Sequence, residues 1–73
     1  MTPNQLLKHY KTQQAAANAI GVGQPAVAGW VRRGAIPPLR QVQFHRHSGG
    51  KLIVSKGISF RVDGDQIFLS ATP

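Results

Sequence analysis

Apolar residues recur at helical spacing through the first two thirds of the chain, where glycine and proline divide them into short stretches. The first stretch follows Thr2 and Pro3, which are typical of a helix start, and Gln5 completes a Thr-x-x-Gln capping box. We expect this helix to end near His9 or Tyr10. The pattern therefore predicts a short capped helix at the start of the sequence.

Two further helices follow with only a short connection between them. Residues 13–20 are rich in alanine, with Thr12 as the candidate N-cap and Gly21 at the end. Residues 24–33 have proline in the first turn, an apolar face at helical spacing, and Gly34 as a terminator. The spacing predicts two adjacent helices joined by a glycine-containing turn.

A fourth helix is predicted after a proline pair. Pro37 and Pro38 interrupt the chain, and Pro38 fits the first position of a helix that runs to about Arg46. Leu39 and Val42 would share its apolar face.

The pattern then changes from helical to alternating. Residues 58–62 alternate with period two, residues 63–65 (Asp-Gly-Asp) form a turn signal, and residues 66–70 read as a second strand. Residues 52–54 are a candidate third strand. The chain is thus predicted to be an α+β domain of four short helices followed by a C-terminal antiparallel β-hairpin.

The organisation is that of one small domain. Residues 1–48 form its helical region, residues 51–70 the hairpin region, and residues 71–73 a short tail. At 73 residues the chain buries little surface alone, so a partner or a second copy is expected.

The charge balance points to a polyanionic partner. Nine Lys and Arg stand against two acidic residues, for a net charge of +7, and both acids lie in the predicted turn. Such a basic chain favours nucleic acid as its partner. It has no run of about 18 apolar residues and no signal-peptide layout. We therefore expect a cytoplasmic protein that makes no use of a membrane.

Composition also argues against enzymatic and metal chemistry. The chain has no cysteine, its only carboxylates share one turn, and its serines have no paired base and acid. His45 and His47 fall on different sides of the fourth helix and, even with His9, lack an acidic or thiolate co-ligand. The Asp-Gly-Asp turn lacks the glutamate of a calcium loop. We expect no catalysis, small-molecule substrate, metal or other cofactor.

The spacing of the two central helices carries the functional signal. Counted from Gln13, a small residue (Ala17) comes four positions later, Gly21 eight, Val27 fourteen and Trp30 seventeen. Ala17 permits close approach of the helices, Gly21 accommodates a positive φ, and the two larger residues anchor the second helix on the core. Trp30 is interpreted as a core residue rather than a base-stacking one. This arrangement is typical of a helix-turn-helix.

Residues 5–47 resemble the Cro-type helix-turn-helix repressors of temperate phages and the related YdaS-like antitoxins of prophages. The resemblance rests on TQQAAANAIGVGQPAVAGWVRRGAIPPLRQ and HSGGKL, and ISFRVDGDQIFLS looks like the hairpin of lambda-type Cro proteins. It implies a small repressor that binds double-stranded operator DNA as a homodimer. In that family the protein shuts down an opposing promoter in the lysis–lysogeny switch.

The resemblance implies that the second helix of the motif enters the major groove. Gln24 would then pair with adenine, Arg32 with guanine or a phosphate, and Ala28 with a thymine methyl group. Gly29 occupies a position where family members usually carry a polar reader. It either leaves readout to its neighbours or permits close approach of the backbone. The candidate phosphate contacts are Lys8, Lys11, Gln13, Gln14, Arg33 and Arg40.

Both faces of the second predicted strand look apolar, which favours contact with a second subunit. The candidate dimerisation residues are Ile58, Phe60, Ile67, Phe68 and Leu69. Two other functions remain open. A prophage antitoxin would have a toxin encoded beside it. A protein-interaction module would bind DNA weakly and without sequence preference, and would form a stable hetero-complex.

Overall fold

The computed structural model describes residues 1–69 as four helices followed by a two-stranded antiparallel sheet. This confirms the predicted fold class. Ser70, predicted to end the second strand, and the predicted tail at residues 71–73 lie outside the described residues. The elements are α1 (Pro3–Tyr10), α2 (Gln13–Ile20), α3 (Gln24–Arg33), α4 (Pro38–His47), β1 (Phe60–Asp63) and β2 (Gln66–Leu69).

The first two helices begin at threonine caps. The Thr2 hydroxyl accepts from the Gln5 N–H at 3.2 Å, and the Gln5 Oε1 accepts from the Thr2 N–H at 3.0 Å. The Thr12 hydroxyl accepts from the Ala15 N–H at 3.0 Å. Each bond satisfies a backbone donor that has no partner within its helix, as the sequence predicted.

Glycine ends both helices of the central pair. Gly21 after α2 and Gly34 after α3 each adopt a φ of 72°, a left-handed conformation that side chains with a Cβ rarely take. The Gly34 N–H donates to the Trp30 carbonyl at 2.8 Å, which closes the last turn of α3. The predicted bounds of α2 and α3 are therefore confirmed.

The core lies where α4 packs across α2, with α1 and α3 beside it. Its largest fully buried side chains are Leu6, Val27, Val42 and Phe44. Trp30 is 4% exposed, and its ring meets that of Phe44 edge to face at a centroid distance of 6.0 Å.

The expected apolar face of α4 was partly wrong. Val42 is buried, but Leu39 is 39% exposed. The buried side of α4 is formed by Gln41, Val42 and Phe44. Residues three apart on a helix differ by about 60° in direction. Leu39 is therefore rotated from Val42 toward solvent, away from the side that Gln41 and Phe44 occupy.

Gln41 is a buried polar residue that joins three distant segments. Its Oε1 accepts from the Met1 ammonium group at 3.2 Å and from the Ser55 N–H at 2.8 Å. Its Nε2 donates to the Ile36 carbonyl at 2.8 Å. Because every polar atom of this amide is paired, Gln41 can be buried without a large desolvation penalty.

The strand predicted at residues 52–54 is absent. Leu52 instead packs into the core, its N–H donates to the Ser48 hydroxyl at 3.0 Å, and its carbonyl lies 2.7 Å from the His45 Nδ1. Both Leu52 backbone groups are thus bonded to side chains of α4 and its C-cap, and the Ile53 carbonyl accepts from the Met1 ammonium group, so neither residue offers these groups to a neighbouring strand. This β-prone segment forms a loop for that reason.

The hairpin is shorter than predicted at its start and has a different turn. β1 begins at Phe60 rather than residue 58, and Asp63 belongs to the strand, where it pairs with Gln66. Gly64 is the first of the two turn residues and has a φ of 61°. The first residue of a primed hairpin turn needs a positive φ, which glycine adopts readily. The turn therefore starts at Gly64, and Asp63 remains in the strand.

Tyr10 links the ends of α1 and α4, and we predict that it makes stability depend on pH in the alkaline range. Its hydroxyl lies 2.7 Å from the His47 Nδ1, and burial raises the pKa of Tyr10 above 10.0. A group whose pKa is raised on folding stabilises the fold below its unfolded pKa, and that contribution is lost as pH rises through the folded value. The free energy of unfolding should therefore fall above pH 10.

Urea unfolding at a series of pH values, compared with the Tyr10→Phe variant, measures this effect. Tyr10 is the only tyrosine, so ultraviolet absorbance reports its ionisation directly. An equal fall in the Tyr10→Phe variant would mean that ionisation of Tyr10 is not the source of the alkaline loss.

Candidate nucleic-acid interface

The α2–α3 pair is held together by small buried residues. Ala16, Ala17 and Val27 have no exposed surface, and all three belong to one core cluster. Small side chains on α2 allow α3 to approach closely, and Gly21 allows the chain to turn between them. The observed geometry is the helix-turn-helix that the spacing predicted.

The burial of α3 orients its other side outward. Val27 and Trp30 face the core, whereas Pro25 and Arg32 are exposed and Ala28 is half-buried. Trp30 is therefore a core residue, as expected, and its ring is not available for stacking on a base. Pro25 is an outward-facing position that the sequence analysis did not single out.

The first residues of α2 and α3 are joined by their side chains. The Gln24 Nε2 donates to the Gln13 Oε1 at 2.5 Å. The bond leaves the Gln24 Oε1 and the second Gln24 N–H available as an acceptor and a donor, and it does not use the Gln13 amide donors. Both residues were predicted site residues, but the bond between them was not predicted. The signal that could have indicated it is that each glutamine is the first residue of its helix.

Gly29 is buried although it lies on the outward side of α3. A Cβ built at this residue would stand 3.7 Å from the Arg33 Nη1 and 4.0 Å from the Arg32 Nη2. The two guanidinium groups therefore lie over the helix backbone at Gly29. Both arginines are otherwise exposed.

The remaining predicted phosphate contacts occupy three elements. Lys8 and Lys11 are exposed, on the last turn and the C-cap of α1. Gln14 donates along α2 to the Asn18 Oδ1 at 2.9 Å. Arg40 on α4 is half-buried and donates to the Gln43 Oε1 at 2.9 Å. Its guanidinium group is therefore already bonded to a side chain of its own helix.

The helical region has positive charge without internal compensation. No acidic residue occurs before Asp63, and both Asp63 and Asp65 are at the hairpin turn. The cations of α1 and α3 therefore have no acidic neighbour on any helix. A surface of this kind attracts polyanions over distances of about a Debye length.

The predicted dimerisation residues divide into two groups. Ile58, Phe60 and Ile67 are half-buried, and the Phe60 ring lies 6.0 Å from that of His45 on α4. Phe68 and Leu69 are about 40% exposed, as is Val62, and the Arg61 guanidinium lies 5.0 Å above the Phe68 ring. The hairpin thus covers α4 with part of its apolar surface and exposes the rest.

Two of the three histidines, His45 and His47, have hydrogen-bonding partners within the fold. His45 contacts the Leu52 carbonyl and His47 the Tyr10 hydroxyl. Among residues 1–69, no group of three or more His, Cys, Asp or Glu residues is placed to hold a metal ion. In the same part of the chain, no helix has the length and apolar character needed to cross a membrane.

A family model described as "DNA-binding transcriptional regulator Cro" matches residues 2–62 of the chain. The chain belongs to the Cro family. It is also similar to a solved structure of N15 Cro complexed with consensus operator DNA, with 37% identity and a TM-score of 0.70. That match covers 74% of this chain and 86% of N15 Cro. No curated protein matches the chain.

Membership of the Cro family confirms the resemblance stated from the sequence, and it makes this protein a DNA-binding regulator. The family match ends at residue 62, before the hairpin turn and β2. The helix-turn-helix therefore lies wholly inside the region shared with the family. The second strand of this Cro-family protein lies outside it.

Lys11 is a strained residue of this site, and we predict that Lys11→Gly stabilises the fold. It has a φ of 79° and a ψ of −39°, and in the described residues it is the only non-glycine with a positive φ. Relief of this strain should raise the free energy of unfolding by about 1 kcal/mol, although glycine also gains freedom when unfolded.

Lys8→Gly is the matched control, since it removes the same charge from the interior of α1. It should lower the free energy of unfolding by about 1 kcal/mol. Urea denaturation of both variants measures the difference. Destabilisation of similar size by both would mean that position 11 has no strain to release.

Proposed function

We propose that this Cro-family protein is a sequence-specific repressor that binds operator DNA as a homodimer in the cytoplasm of a bacterial host. α3 enters the major groove of each half-site, and the bound dimer occupies DNA that RNA polymerase needs. The observation that carries the proposal is the part-buried Gln13–Gln24 bond between the starts of α2 and α3, in a helical region with no acidic residue.

The bond supports base recognition by Gln24. A glutamine pairs with adenine through one acceptor and one donor, at N6 and N7. Because Gln13 holds one Gln24 N–H, the amide plane is oriented before DNA arrives, and less side-chain freedom is lost on binding. Ala28 and Arg32 lie further along the outward side of α3 and contact a thymine methyl group and a guanine, respectively.

Phosphate contacts flank the recognition helix. The Gln13 amide donors are not used by the bond to Gln24 and, together with the start of α2, hold one phosphate, with Gln14 beside it. Lys8 and Lys11 are exposed and uncompensated, and they supply salt-sensitive affinity with no sequence information. Arg40 is a weaker candidate because it already donates to Gln43.

The exposed part of the hairpin supports the homodimer. Val62, Phe68 and Leu69 are about 40% exposed, which leaves apolar surface that water disfavours. A two-stranded sheet also has free edges that a second copy can cover. Two recognition helices related by a two-fold axis about 34 Å apart would read successive half-sites on one side of the DNA.

We predict that Gln24→Ala weakens binding to the operator about tenfold and binding to random duplex much less. The probe is a duplex selected by the wild-type protein from a randomised pool, and fluorescence anisotropy across a salt series measures both affinities. Wild-type preference for the selected duplex of about 10³-fold or more is expected of a specific repressor.

Two variants serve as controls for this experiment. Gln66→Ala removes an exposed glutamine from β2 and should change neither affinity. Lys11→Gln should weaken both duplexes alike and reduce the salt slope by about 1. Equal, steeply salt-dependent wild-type binding to both duplexes would refute specific repression and favour an interaction module.

We predict that Phe68→Lys weakens dimerisation at least tenfold while leaving the fold intact, because the side chain is 41% exposed in the single chain. Sedimentation equilibrium measures the association. Ile53→Lys is the matched control, since Ile53 is an apolar residue outside β1 and β2 and is 62% exposed. Unchanged association in Phe68→Lys would exclude this hairpin surface as the interface.

A further inference from the structure

We propose that Arg33 is a specificity-determining residue that reads guanine together with Arg32. This inference rests on the proposed function, because it concerns the bases that α3 contacts. From its place at the end of the motif, Arg33 was predicted to contact a phosphate. In the structure its Nη1 and the Arg32 Nη2 lie 3.7 and 4.0 Å from the point where a Cβ of Gly29 would stand.

The direction of the Arg33 side chain determines where its charge lies. Side chains on a helix lean toward its N-terminus, so a long residue covers the turn before its own. Arg33 is the last residue of α3, yet its guanidinium lies over Gly29, one turn earlier. Its charge is therefore presented at the middle of the outward side of α3 and not at the C-terminal end.

The two guanidinium groups lie on a side of α3 that has no other polar side chain between Gln24 and Arg32. Between Gln24 and Arg32, the outward side of α3 holds only Pro25, two alanines (Ala26 and Ala28) and Gly29, none of which has a polar side chain. These small side chains leave room for a base edge to reach the two guanidinium groups that lie over Gly29. No acidic residue precedes Asp63, so no side chain of the four helices compensates these two positive groups.

The chemistry of the expected ligand follows from this arrangement. Guanine presents two acceptors, O6 and N7, in the major groove, and the guanidinium fork matches them. A phosphate would also satisfy an arginine, but phosphates lie at the walls of the groove, away from the centre of the recognition helix. The Arg32 and Arg33 guanidinium groups lie side by side over Gly29, an arrangement that fits two neighbouring guanines in a half-site.

The test uses Arg33→Lys, which keeps the charge but loses the fork. On the duplex selected by the wild-type protein we expect about a tenfold loss of affinity, with little change on random duplex and an unchanged salt slope. Guanines of the selected duplex are then replaced singly by 7-deazaguanine, which removes only N7. One replacement should weaken the wild type several-fold and Arg33→Lys hardly at all.

Arg46→Lys is the matched control, because Arg46 is an exposed arginine on α4 whose guanidinium contacts the Gly64 carbonyl of the hairpin turn at 3.4 Å. It should change neither affinity. Circular dichroism and thermal unfolding establish that each variant is folded.

Two results would overturn the inference, and they differ in what they say of the proposed function. If the wild type prefers its selected duplex but Arg33→Lys binds both duplexes as well as the wild type does, Arg33 contacts only phosphate, and the repressor assignment stands. If the wild type shows no preference at all, both proposals fail.

Discussion

The close contact between α2 and α3 is the constraint on which the remaining site geometry depends. Ala16 and Ala17 have no exposed surface and lie in one cluster with Val27. A larger side chain at either alanine would push α3 outward or create strain in a closely packed interior. The Gln13–Gln24 bond spans the same two helices, so the displacement that relieved the strain would also break it.

Stability and binding draw on different parts of this chain. The cations that favour DNA have no acidic partner on the helices, so ion pairs there cannot stabilise the folded state. The fold is held instead by a small apolar core, by threonine caps and glycine ends, and by Gln41, which joins Met1, Ile36 and Ser55. The basic surface is thus left available to a polyanion.

The hairpin adds a second surface to the Cro-family domain. Phe60 and Ile67 are half-buried, and β2 packs on α4, while Phe68 and Leu69 remain exposed. β2 lies beyond the residues matched by the family model, which end at 62. The helix-turn-helix is therefore a feature shared with the family, whereas the exposed residues of β2 lie outside the shared region.

The sequence by itself determined the helices, the turn between α2 and α3, the hairpin and the net charge. Their signals are local: a threonine bonds to an N–H three residues away, and Gly21 or Gly34 takes a positive φ. Only the tertiary structure decided that Phe44 is in the core, that residues 52–54 form a loop, and that Arg33 lies over Gly29. These outcomes depend on the direction of side chains and on partners from other elements, which local spacing does not encode.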